Sequence, residues 1–547
     1  MRRGTRTARP RLVGATTIRP RTVPPGARRT RGPRHAASRP RRSAHARSVG
    51  WRAAPQAQTP PARQAHSNHP DGVPVPHPLA PQLPDAADAD ALVEGVWPAS
   101  AERVDGALHV GGADVRAIAA EHGTPFLLVD EAVVRDRARR ISLAFEAAFG
   151  DAGVDVYYAG KALLTADVAR WMREEGLVLD VATGGELAVA LRAGVEPAAI
   201  GFHGNNKSEA EITAGVEAGV GTFVLDSPIE AERVAAAAER AGRVQRVRLR
   251  ISVGVHASTH EFLATSHEDQ KFGVPLDEAP ALVARIRELP GLELVGLHTH
   301  IGSQIFDADG FAESARRMLA LHAQLGAGAE APLPELNLGG GFGIAYTAAD
   351  SPEPIEAIAA GLADAVRTAA DELGIPVPRI AIEPGRWIVG PAGITVYTVG
   401  TVKPVRLGEG TRTYVSVDGG MGDNPRPALY GAQYSARIAS RSSDAEPALV
   451  RVAGRHCESG DIVVDAEWLP GDVAPGDLLA VAATGAYCHS LASNYNLAPR
   501  PPVLAVRDGE VRTLVRRESI DDLLARDAGL ERPAGRHASA TTDDGAA

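Results

Sequence analysis

Short apolar runs alternate with amphipathic segments between residues 125 and 386, and this alternation constrains the fold more than any other feature of the chain. After an apolar run at 126–129 and a helix that ends at Phe149, eight such runs follow, at 156–159, 177–182, 200–204, 222–226, 247–253, 294–300, 335–341 and 380–386. Continuous apolar strands separated by helices indicate a parallel sheet that is covered on both faces. Eight repeats in about 260 residues are typical of a closed (β/α)8 barrel. We therefore predict an α/β fold with a TIM-like barrel over residues 125–386.

The segments that flank this region differ from it in texture. After residue 387, runs such as ITVYTVG, TYVSVDG and DLLAVAA are short, β-rich and separated by Gly, Pro and Asp. This pattern predicts a C-terminal, mainly antiparallel β domain over residues 387–530. We expect residues 86–124 to join that domain, with the run ALHVGG as an edge strand. Residues 531–547 are expected to be disordered.

The first 85 residues are rich in Arg, Pro and Ala and poor in large apolar side chains, a composition that predicts a disordered extension. Residues 1–70 hold 17 arginines and no acidic residue. A transit peptide and a basic tail that binds polyanions are also compatible with this composition. A start site assigned too early is a further interpretation.

The charge of the remaining chain argues against two classes of partner. Residues 71–547 carry 41 basic and 67 acidic side chains, so we expect neither nucleic acid nor an anionic membrane as the main partner. The sequence contains no window of about 18 apolar residues, the length that a membrane-spanning helix needs. Only two cysteines are present, Cys457 and Cys488, which favours a reducing cytoplasmic location over a disulfide framework.

Lysine is very rare in this chain, with four lysines against 54 arginines. A retained lysine is therefore a candidate for chemistry that needs a primary amine, above all covalent attachment to a carbonyl compound. Lys161 follows the first barrel strand, where catalytic groups accumulate in such barrels. Composition alone does not separate it from Lys207, Lys271 and Lys403.

The ends of three later strands carry further polar groups. Each group has a structural interpretation: a glycine run is usually a tight turn, a lone histidine a core residue, and a Glu–Arg pair a rim ion pair. Together they supply backbone donors for a phosphate, a ring for stacking and a carboxylate for a pyridine nitrogen. With Lys161, these groups match the needs of pyridoxal 5′-phosphate (PLP). The residues are His298, His300, Ser303, Gly339, Gly340, Gly341, Glu383 and Arg386.

A metal site is not predicted, although the pair His298 and His300 has the spacing of two ligands on one strand face. No further His, Cys or carboxylate cluster follows these histidines at ligand spacing.

These motifs, with HGNNKS, THEFLATSHEDQKFG, DNPRPALYGA, GRHCESGD and TGAYCHSLASNYN, resemble the fold-type III PLP-dependent decarboxylases of the alanine-racemase-like barrel class. Within that class, residues 90–525 are most similar to the diaminopimelate decarboxylase family. Two positions depart from the family pattern. Gly160 stands where a larger residue usually precedes the lysine, and His489 stands where arginine is expected.

The resemblance implies a role for each candidate residue. Lys161 would hold PLP, His300 would stack on its ring, and Glu383 would bind its pyridine nitrogen. The phosphate would lie against Ser303, Gly339, Gly340, Gly341, Arg386 and Tyr487. Substrate would be bound by Arg386, Arg426, Tyr430, Glu458 and Tyr487, and Cys457 would act with Lys161 in catalysis.

The implied reaction is decarboxylation of meso-2,6-diaminopimelate to L-lysine and CO₂, the last step of lysine biosynthesis. The resemblance also implies a homodimer with shared active sites. Alternatives that remain open are a decarboxylase of another basic amino acid or of carboxynorspermidine, and a non-catalytic PLP-binding regulator. A racemase is disfavoured because GRHCESGD does not resemble the tyrosine base region of that group.

Overall fold

The computed structural model describes residues 88–255, 271–327, 332–408 and 410–530. The expected disordered segments, and most of the motif at 259–273, lie outside these residues. The first elements are three short strands and a helix: β1 (Glu102–Val104), β2 (Ala107–Val110), β3 (Ala113–Asp114) and α1 (Val115–His122). The run ALHVGG is therefore not an edge strand of the large β sheet, since β2 lies at the centre of a small antiparallel sheet of its own.

This small sheet packs on the β domain through apolar side chains. Leu108 of β2 is fully buried in one cluster with Phe126, Ile394 and Leu504. Its backbone N–H also donates to the carbonyl of Ala439 at 2.9 Å.

The predicted start of the barrel is wrong, because the next strand, β4 (Phe126–Asp130), belongs to the sheet of the β domain. β4 pairs with two strands of the C-terminal region and with no barrel strand. The alternating pattern predicts a barrel strand at 126–129 because this run opens the pattern. Pairing with distant parts of the chain instead determines which sheet the strand joins.

Eight parallel strands form the barrel, one for each apolar run after the first. The ring closes because its fourth and fifth strands pair with each other, and every barrel pairing is parallel, as predicted. A two-residue strand, β10 (Val274–Pro275), pairs with the fifth barrel strand outside the ring. The barrel strands are β5 (Val154–Ala159), β6 (Val178–Val181), β7 (Ile200–Phe202), β8 (Thr222–Leu225), β9 (Gln245–Ser252), β11 (Leu292–His298), β12 (Glu335–Asn337) and β13 (Arg379–Ile382).

Helices connect the barrel strands, and local capping explains where several of them begin. Thr165, Thr183 and Ser208 accept a backbone N–H of the first turn with their side chains. Apolar residues of the helices pack on the strands in one continuous core. The helices are α2 (Glu131–Phe149), α3 (Ala166–Glu174), α4 (Gly184–Arg192), α5 (Glu209–Ala218), α6 (Pro228–Arg240), α7 (Ala279–Arg287), α8 (Asp309–Gly326), α9 (Ile355–Leu373) and the short α10 (Arg386–Val389).

The β domain is a mostly antiparallel sheet in which β4 pairs in parallel with the strand Val503–Arg507. No helix among the described residues is both long and apolar enough to cross a membrane. The elements of the domain are β14 (Gly393–Leu407), β15 (Gly410–Val417), α11 (Arg426–Tyr430), β16 (Ala436–Ile438), β17 (Pro447–Ala453), β18 (Ile462–Pro470), β19 (Leu478–Val481), β20 (Val503–Arg507), β21 (Glu510–Val515) and α12 (Ile520–Leu524).

A buried ionic cluster crosses the interior of the barrel. Arg248 of β9 donates to Glu335 Oε2 at 2.8 and 3.0 Å and to the hydroxyl of Tyr157 at 2.9 Å. These three residues lie on strands that are not neighbours in the ring, so their contacts pass through its centre. Arg248 is only 1% exposed, and its positive charge depends on this cluster for compensation.

Replacing Arg248 with Met should lower the free energy of unfolding by about 3 kcal/mol, because Glu335 and Tyr157 lose a buried partner. The expected loss is at the lower end of the usual range because Arg246 still pairs with Glu335 at 2.6 Å. Urea unfolding measures the change. The control is Arg285→Met, which removes exposed ion pairs with Glu232 and Glu288. Equal losses in the two variants would contradict a stabilising role for the interior cluster.

Candidate active site

Lys161 lies in a single 3-10 turn, Gly160–Ala162, directly after β5, and its side chain is exposed. The β domain anchors this turn: the Tyr487 N–H donates to the Ala162 carbonyl at 2.8 Å, and Ser490 Oγ does so at 3.4 Å. Tyr487 has a φ of 63°, an uncommon value for a residue with a side chain. The position of the candidate lysine therefore depends on both parts of the fold.

The competing lysines have other surroundings. Lys207 is buried and forms an ion pair with Glu230, and it also donates to the carbonyls of Gly204 and Val224 at 2.8 Å. Lys403 lies on β14 beside the Tyr414 ring in the β domain. Lys271 is exposed, with its Nζ 4.7 Å from the centre of the Phe272 ring. Among the described lysines, only Lys161 lies in a turn that directly follows a barrel strand.

The three glycines after β12 form a tight loop. This loop lies between the ends of β11 and β13, the two strands that flank β12 in the barrel. A Cβ atom at Gly339, Gly340 or Gly341 would collide with the backbone carbonyl oxygen of Thr299, Glu383 or Gly302, respectively. Gly339 and Gly341 also have φ values of 72° and 118°, which glycine adopts without strain. The loop therefore requires glycine at each position.

Arg386 lies beside this loop at the start of α10. Its side chain donates to Ser303 Oγ at 2.8 Å and to the hydroxyl of Tyr346, and its guanidinium lies 4.7 Å from the centre of the Tyr487 ring. Its Nε atom is buried and has no hydrogen-bond partner among the described residues. The structure thus brings Ser303, Arg386, Tyr487 and the glycine loop together.

Glu383, directly after β13, is surrounded by nitrogen donors. Asn337 Nδ2 donates to Glu383 Oε1 at 2.7 Å, and the Nε2 atoms of His298 and His203 lie 3.0 and 3.4 Å from the same oxygen. Burial alone would raise the pKa of Glu383, but the neighbouring imidazoles of His298 and His203 outweigh it and hold that pKa well below its ordinary value. Glu383 is therefore an anion.

Asp180 of β6 lies on the other side of His203, with 3.1 Å between Oδ1 and Nε2. Burial and the neighbouring Glu383 charge raise the pKa of Asp180 well above its ordinary value. Burial also lowers the pKa values of His203 and His298 to about 4. Burial therefore favours the neutral forms of Asp180, His203 and His298, whereas the pKa of Glu383 is shifted toward the anion.

His203, His298 and Glu383 also have the chemical identity of metal ligands, and their ligand atoms lie within 4.8 Å of one another. The sequence did not predict this convergence, because His203 is 95 residues from His298 and 180 residues from Glu383. The absence of a metal stays a prediction.

His300 reaches the glycine loop, where the Gly340 N–H donates to its Nδ1 atom at 3.2 Å. Burial, and then the positive charge of Lys161, lower the pKa of His300 well below its ordinary value. A neutral ring is thus placed between the candidate lysine and the glycine loop.

Arg426 is buried, at 2% exposure, and its guanidinium lies 4.7 Å from the Tyr346 ring. It donates to the hydroxyl of Tyr434 rather than to that of Tyr430. Tyr430, which the sequence selected, is 39% exposed at the end of α11. Tyr346 contacts both Arg386 and Arg426, so it connects the surroundings of the two arginines.

Cys457 and Glu458 lie in an exposed loop between β17 and β18. The Cys457 N–H donates to Asn496 Oδ1 at 3.1 Å, and Glu458 Oε1 accepts from Ser459 Oγ at 3.2 Å. Within the described part of the chain, no hydrogen bond or ion pair connects these two residues to the barrel. They are thus separate from the other candidate residues in one copy of the protein.

Several residues that surround the candidate groups were not predicted from the sequence. Reading the ends of all eight strands, rather than of four, would have found Asp180 and His203. Tyr434 carried no such signal, because its position in a loop gives no indication that its hydroxyl meets Arg426. The residues that were missed are Asp180, His203, Asn337, Tyr346 and Tyr434.

The arrangement fits PLP by three observations. An exposed amine lies after β5, the glycine loop leaves no room for side chains beside its N–H groups, and Arg386 offers a buried, unpaired N–H. Backbone N–H groups and an arginine suit a phosphate, and an anionic carboxylate suits a protonated pyridine nitrogen.

Comparison with known proteins agrees with this chemistry. Residues 133–390 match the family described as pyridoxal-dependent decarboxylase, pyridoxal binding domain. The chain is 51% identical over 442 residues to a diaminopimelate decarboxylase of Mycobacterium tuberculosis, covering 79% of this chain and 98% of the relative. It is 41% identical over 432 residues to that of Bacillus subtilis, covering 78% and 97%.

A solved structure shows the same fold. The crystal structure of diaminopimelate decarboxylase from M. jannaschii in complex with L-lysine superimposes with a TM-score of 0.71 at 31% identity, and the match covers 79% of this chain and 98% of that one. PLP is accordingly the cofactor of this enzyme. The chain belongs to the diaminopimelate decarboxylase family of PLP-dependent carboxy-lyases.

Proposed function

We propose that this chain decarboxylates meso-2,6-diaminopimelate at one stereocentre and releases L-lysine and CO₂. The observation that carries the proposal is a pair of buried arginines, Arg386 and Arg426, which contact hydroxyls and aromatic rings. Neither forms an ion pair with a carboxylate among the described residues. A buried cation without an anionic partner is costly, so both favour an anionic ligand. A PLP phosphate and the distal carboxylate of the substrate would supply these anions.

The residues around the cofactor have distinct proposed roles. Bound PLP supplies an electron-accepting pyridine ring for the electrons released when CO₂ leaves. Lys161 supplies the amine for its covalent attachment, His300 packs as a neutral ring, and Glu383 holds a proton at the pyridine nitrogen. Ser303, Arg386, Tyr487 and the N–H groups of Gly339, Gly340 and Gly341 bind the phosphate.

The substrate contacts extend this scheme to selectivity. Arg386 and Arg426 pair with the distal carboxylate, Tyr430 and Tyr487 line the substrate, and Glu458 binds the distal ammonium. Cys457 or the freed Lys161 returns a proton to the carbon that has lost CO₂. Ornithine and lysine have no distal carboxylate, so turnover of diaminopimelate against these amino acids and arginine separates the proposal from the alternative decarboxylases.

We also propose a homodimer in which the loop with Cys457 and Glu458 completes the site of a second copy. Five large hydrophobic side chains near this loop are exposed by 38 to 69%. A cavity of about 510 Å³ lies among them and is lined by Leu429, Glu458, Leu491 and Tyr495. An apolar surface of this kind favours burial against another protein. The exposed residues are Leu429, Tyr430, Leu491, Tyr495 and Leu497.

The expected cytoplasmic location stays a proposal, which the two free thiols support.

Lys161→Ala should abolish the visible absorbance of the PLP-loaded protein and the release of CO₂ from meso-diaminopimelate, because Lys207, the other lysine near His203, is buried in an ion pair with Glu230. Absorbance spectra and CO₂ release measure the two effects. Lys403→Ala, in the β domain, is the control and should keep both. Borohydride reduction followed by peptide mass mapping should place the label on Lys161; a label on another side chain would refute the assignment.

Arg426→Met should reduce kcat/KM for diaminopimelate roughly 10- to 100-fold, the value of one charge-assisted hydrogen bond to the distal carboxylate. Steady-state kinetics measure it. Arg437→Met is the matched control, because Arg437 is also buried in the β domain but already pairs with Glu467 at 3.1 Å. Equal losses in both variants would indicate a structural effect and contradict substrate binding by Arg426.

Mixing two variants that are each impaired tests whether sites are shared. Lys161→Ala and the double variant Cys457→Ala, Glu458→Ala remove groups that the proposal assigns to different copies within one site. After subunit exchange, mixed dimers contain one intact site, and activity should recover to about a quarter of the wild-type value. CO₂ release after mixing measures this recovery. No recovery, with mixed dimers shown by native mass spectrometry, would contradict shared sites.

A further inference from the structure

The contacts of Glu383 are concentrated on one of its two oxygens. Asn337, His298 and His203 all approach Oε1, at 2.7, 3.0 and 3.4 Å, and none of these contacts uses Oε2. Asn337 donates the hydrogen bond to Oε1, and the two imidazole nitrogens lie close to the same oxygen without hydrogen-bond geometry, so the chain itself encloses Oε1. Oε2 is the oxygen that these neighbours leave for a ligand.

The neighbours are themselves held in place. Asn337 Oδ1 accepts the Gly339 N–H at 2.8 Å, so the amide group of Asn337 must direct its nitrogen toward Glu383. The His203 and His298 rings meet edge to face, with centres 5.1 Å apart, and His203 also lies beside Asp180. His298 is 1% exposed and Asn337 is fully buried. We call Asn337, His298 and His203 the Glu383 clamp.

Resting on the proposed function, we propose that the Glu383 clamp positions this carboxylate by its Oε1 atom so that Oε2 faces the pyridine nitrogen of PLP. In this arrangement Asn337 and His298 are positioning residues that touch neither cofactor nor substrate. Asn337 holds Oε1 by its hydrogen bond, and the His298 and His203 rings pack against the same oxygen. The protonated pyridine nitrogen thus meets a fixed anion at the depth of the barrel.

A metal ion on His203, His298 and Glu383 is the competing interpretation of the same residues. Such an ion would occupy Glu383 and displace the hydrogen bond from Asn337. The Asn337 contact favours the clamp, because an amide N–H directed at Oε1 repels a cation bound to that oxygen. Zinc addition to the apoprotein distinguishes the two: the clamp predicts no loss of PLP binding at stoichiometric zinc, and a stoichiometric loss would overturn it.

The ¹⁵N NMR shift of ¹⁵N-labelled PLP bound to the full chain tests the clamp directly, because it reports protonation of the pyridine nitrogen. We expect the protonated value in wild type. In His298→Leu and in the isosteric Asn337→Asp, the shift should move toward the unprotonated value. The PLP dissociation constant should rise roughly 10-fold and kcat should fall roughly 10- to 100-fold, with little change in KM.

Two further variants separate positioning from packing. His298→Gln keeps a side-chain N–H donor and should recover part of the wild-type shift. His322→Leu removes an equally buried histidine, 3% exposed, which lies on α8 away from the site. The Nε2 atom of His322 contacts the Leu333 carbonyl. The His322→Leu variant should leave the ¹⁵N shift unchanged. Melting temperatures of the apoproteins show whether each variant folds.

The outcomes also separate this inference from the proposed function. A wild-type ¹⁵N shift in both His298→Leu and Asn337→Asp would overturn the clamp while diaminopimelate turnover by wild type stands. A wild-type protein that binds PLP but does not decarboxylate diaminopimelate would contradict the substrate, and the ¹⁵N comparison would still decide the clamp.

Discussion

Closure of the parallel ring through the pairing of β8 with β9 is the constraint on which the site depends. In a closed ring the carboxyl ends of all eight strands meet at one mouth. Residues far apart in sequence, such as Lys161, His203 and Glu383, are thereby held around one space. The β domain adds to this arrangement by anchoring the lysine turn, since Tyr487 donates to Ala162 from outside the barrel.

Electrostatics divides the mouth into two regions. Around Glu383, one negative charge is stabilised by neutral histidines and an amide, which suits a ligand with a single positive nitrogen. Around Tyr346, Arg386 and Arg426 present positive charge to hydroxyl groups, which suits ligand anions. The separation matters because a carboxylate placed between the arginines would neutralise them before any ligand bound. Arg248 shows the contrasting case, since its carboxylate partner makes it a structural residue of the interior.

The sequence predicted the eight barrel strands well, because their apolar runs are continuous and their period is local. It misplaced the run at 126–129 because an apolar strand looks the same in either sheet, and its partners in β14 and β20 are hundreds of residues away. Gly160 stood out as a departure from the family pattern, and the fold explains it: a Cβ there would lie 2.7 Å from the Asp180 carbonyl oxygen.

Contacts between residues distant in sequence also limited the prediction of the site. Lone residues such as Asn337 and Tyr434 carry no distinctive local pattern, and only their contacts with Glu383 and Arg426 indicate a role. Motif spacing selected Tyr430 because it lies four residues from Arg426, whereas the hydroxyl that meets Arg426 belongs to Tyr434. Spacing therefore identifies the loop, and tertiary packing decides which of its side chains reaches the partner.

In the proposed dimer, electrostatics gives a reason for the exposed position of Glu458. The distal end of diaminopimelate has both a carboxylate and an ammonium, so its site needs both signs of charge. If Arg426 and Glu458 shared one pocket within a single copy, they would pair with each other and compete with the substrate. In this structure Arg426 is buried against Tyr434, and the side-chain hydrogen bonds of Glu458 among the described residues stay within its own loop. Placing the acidic group on a second copy would keep the two charges apart until subunits and substrate assemble, and would make activity depend on dimer formation.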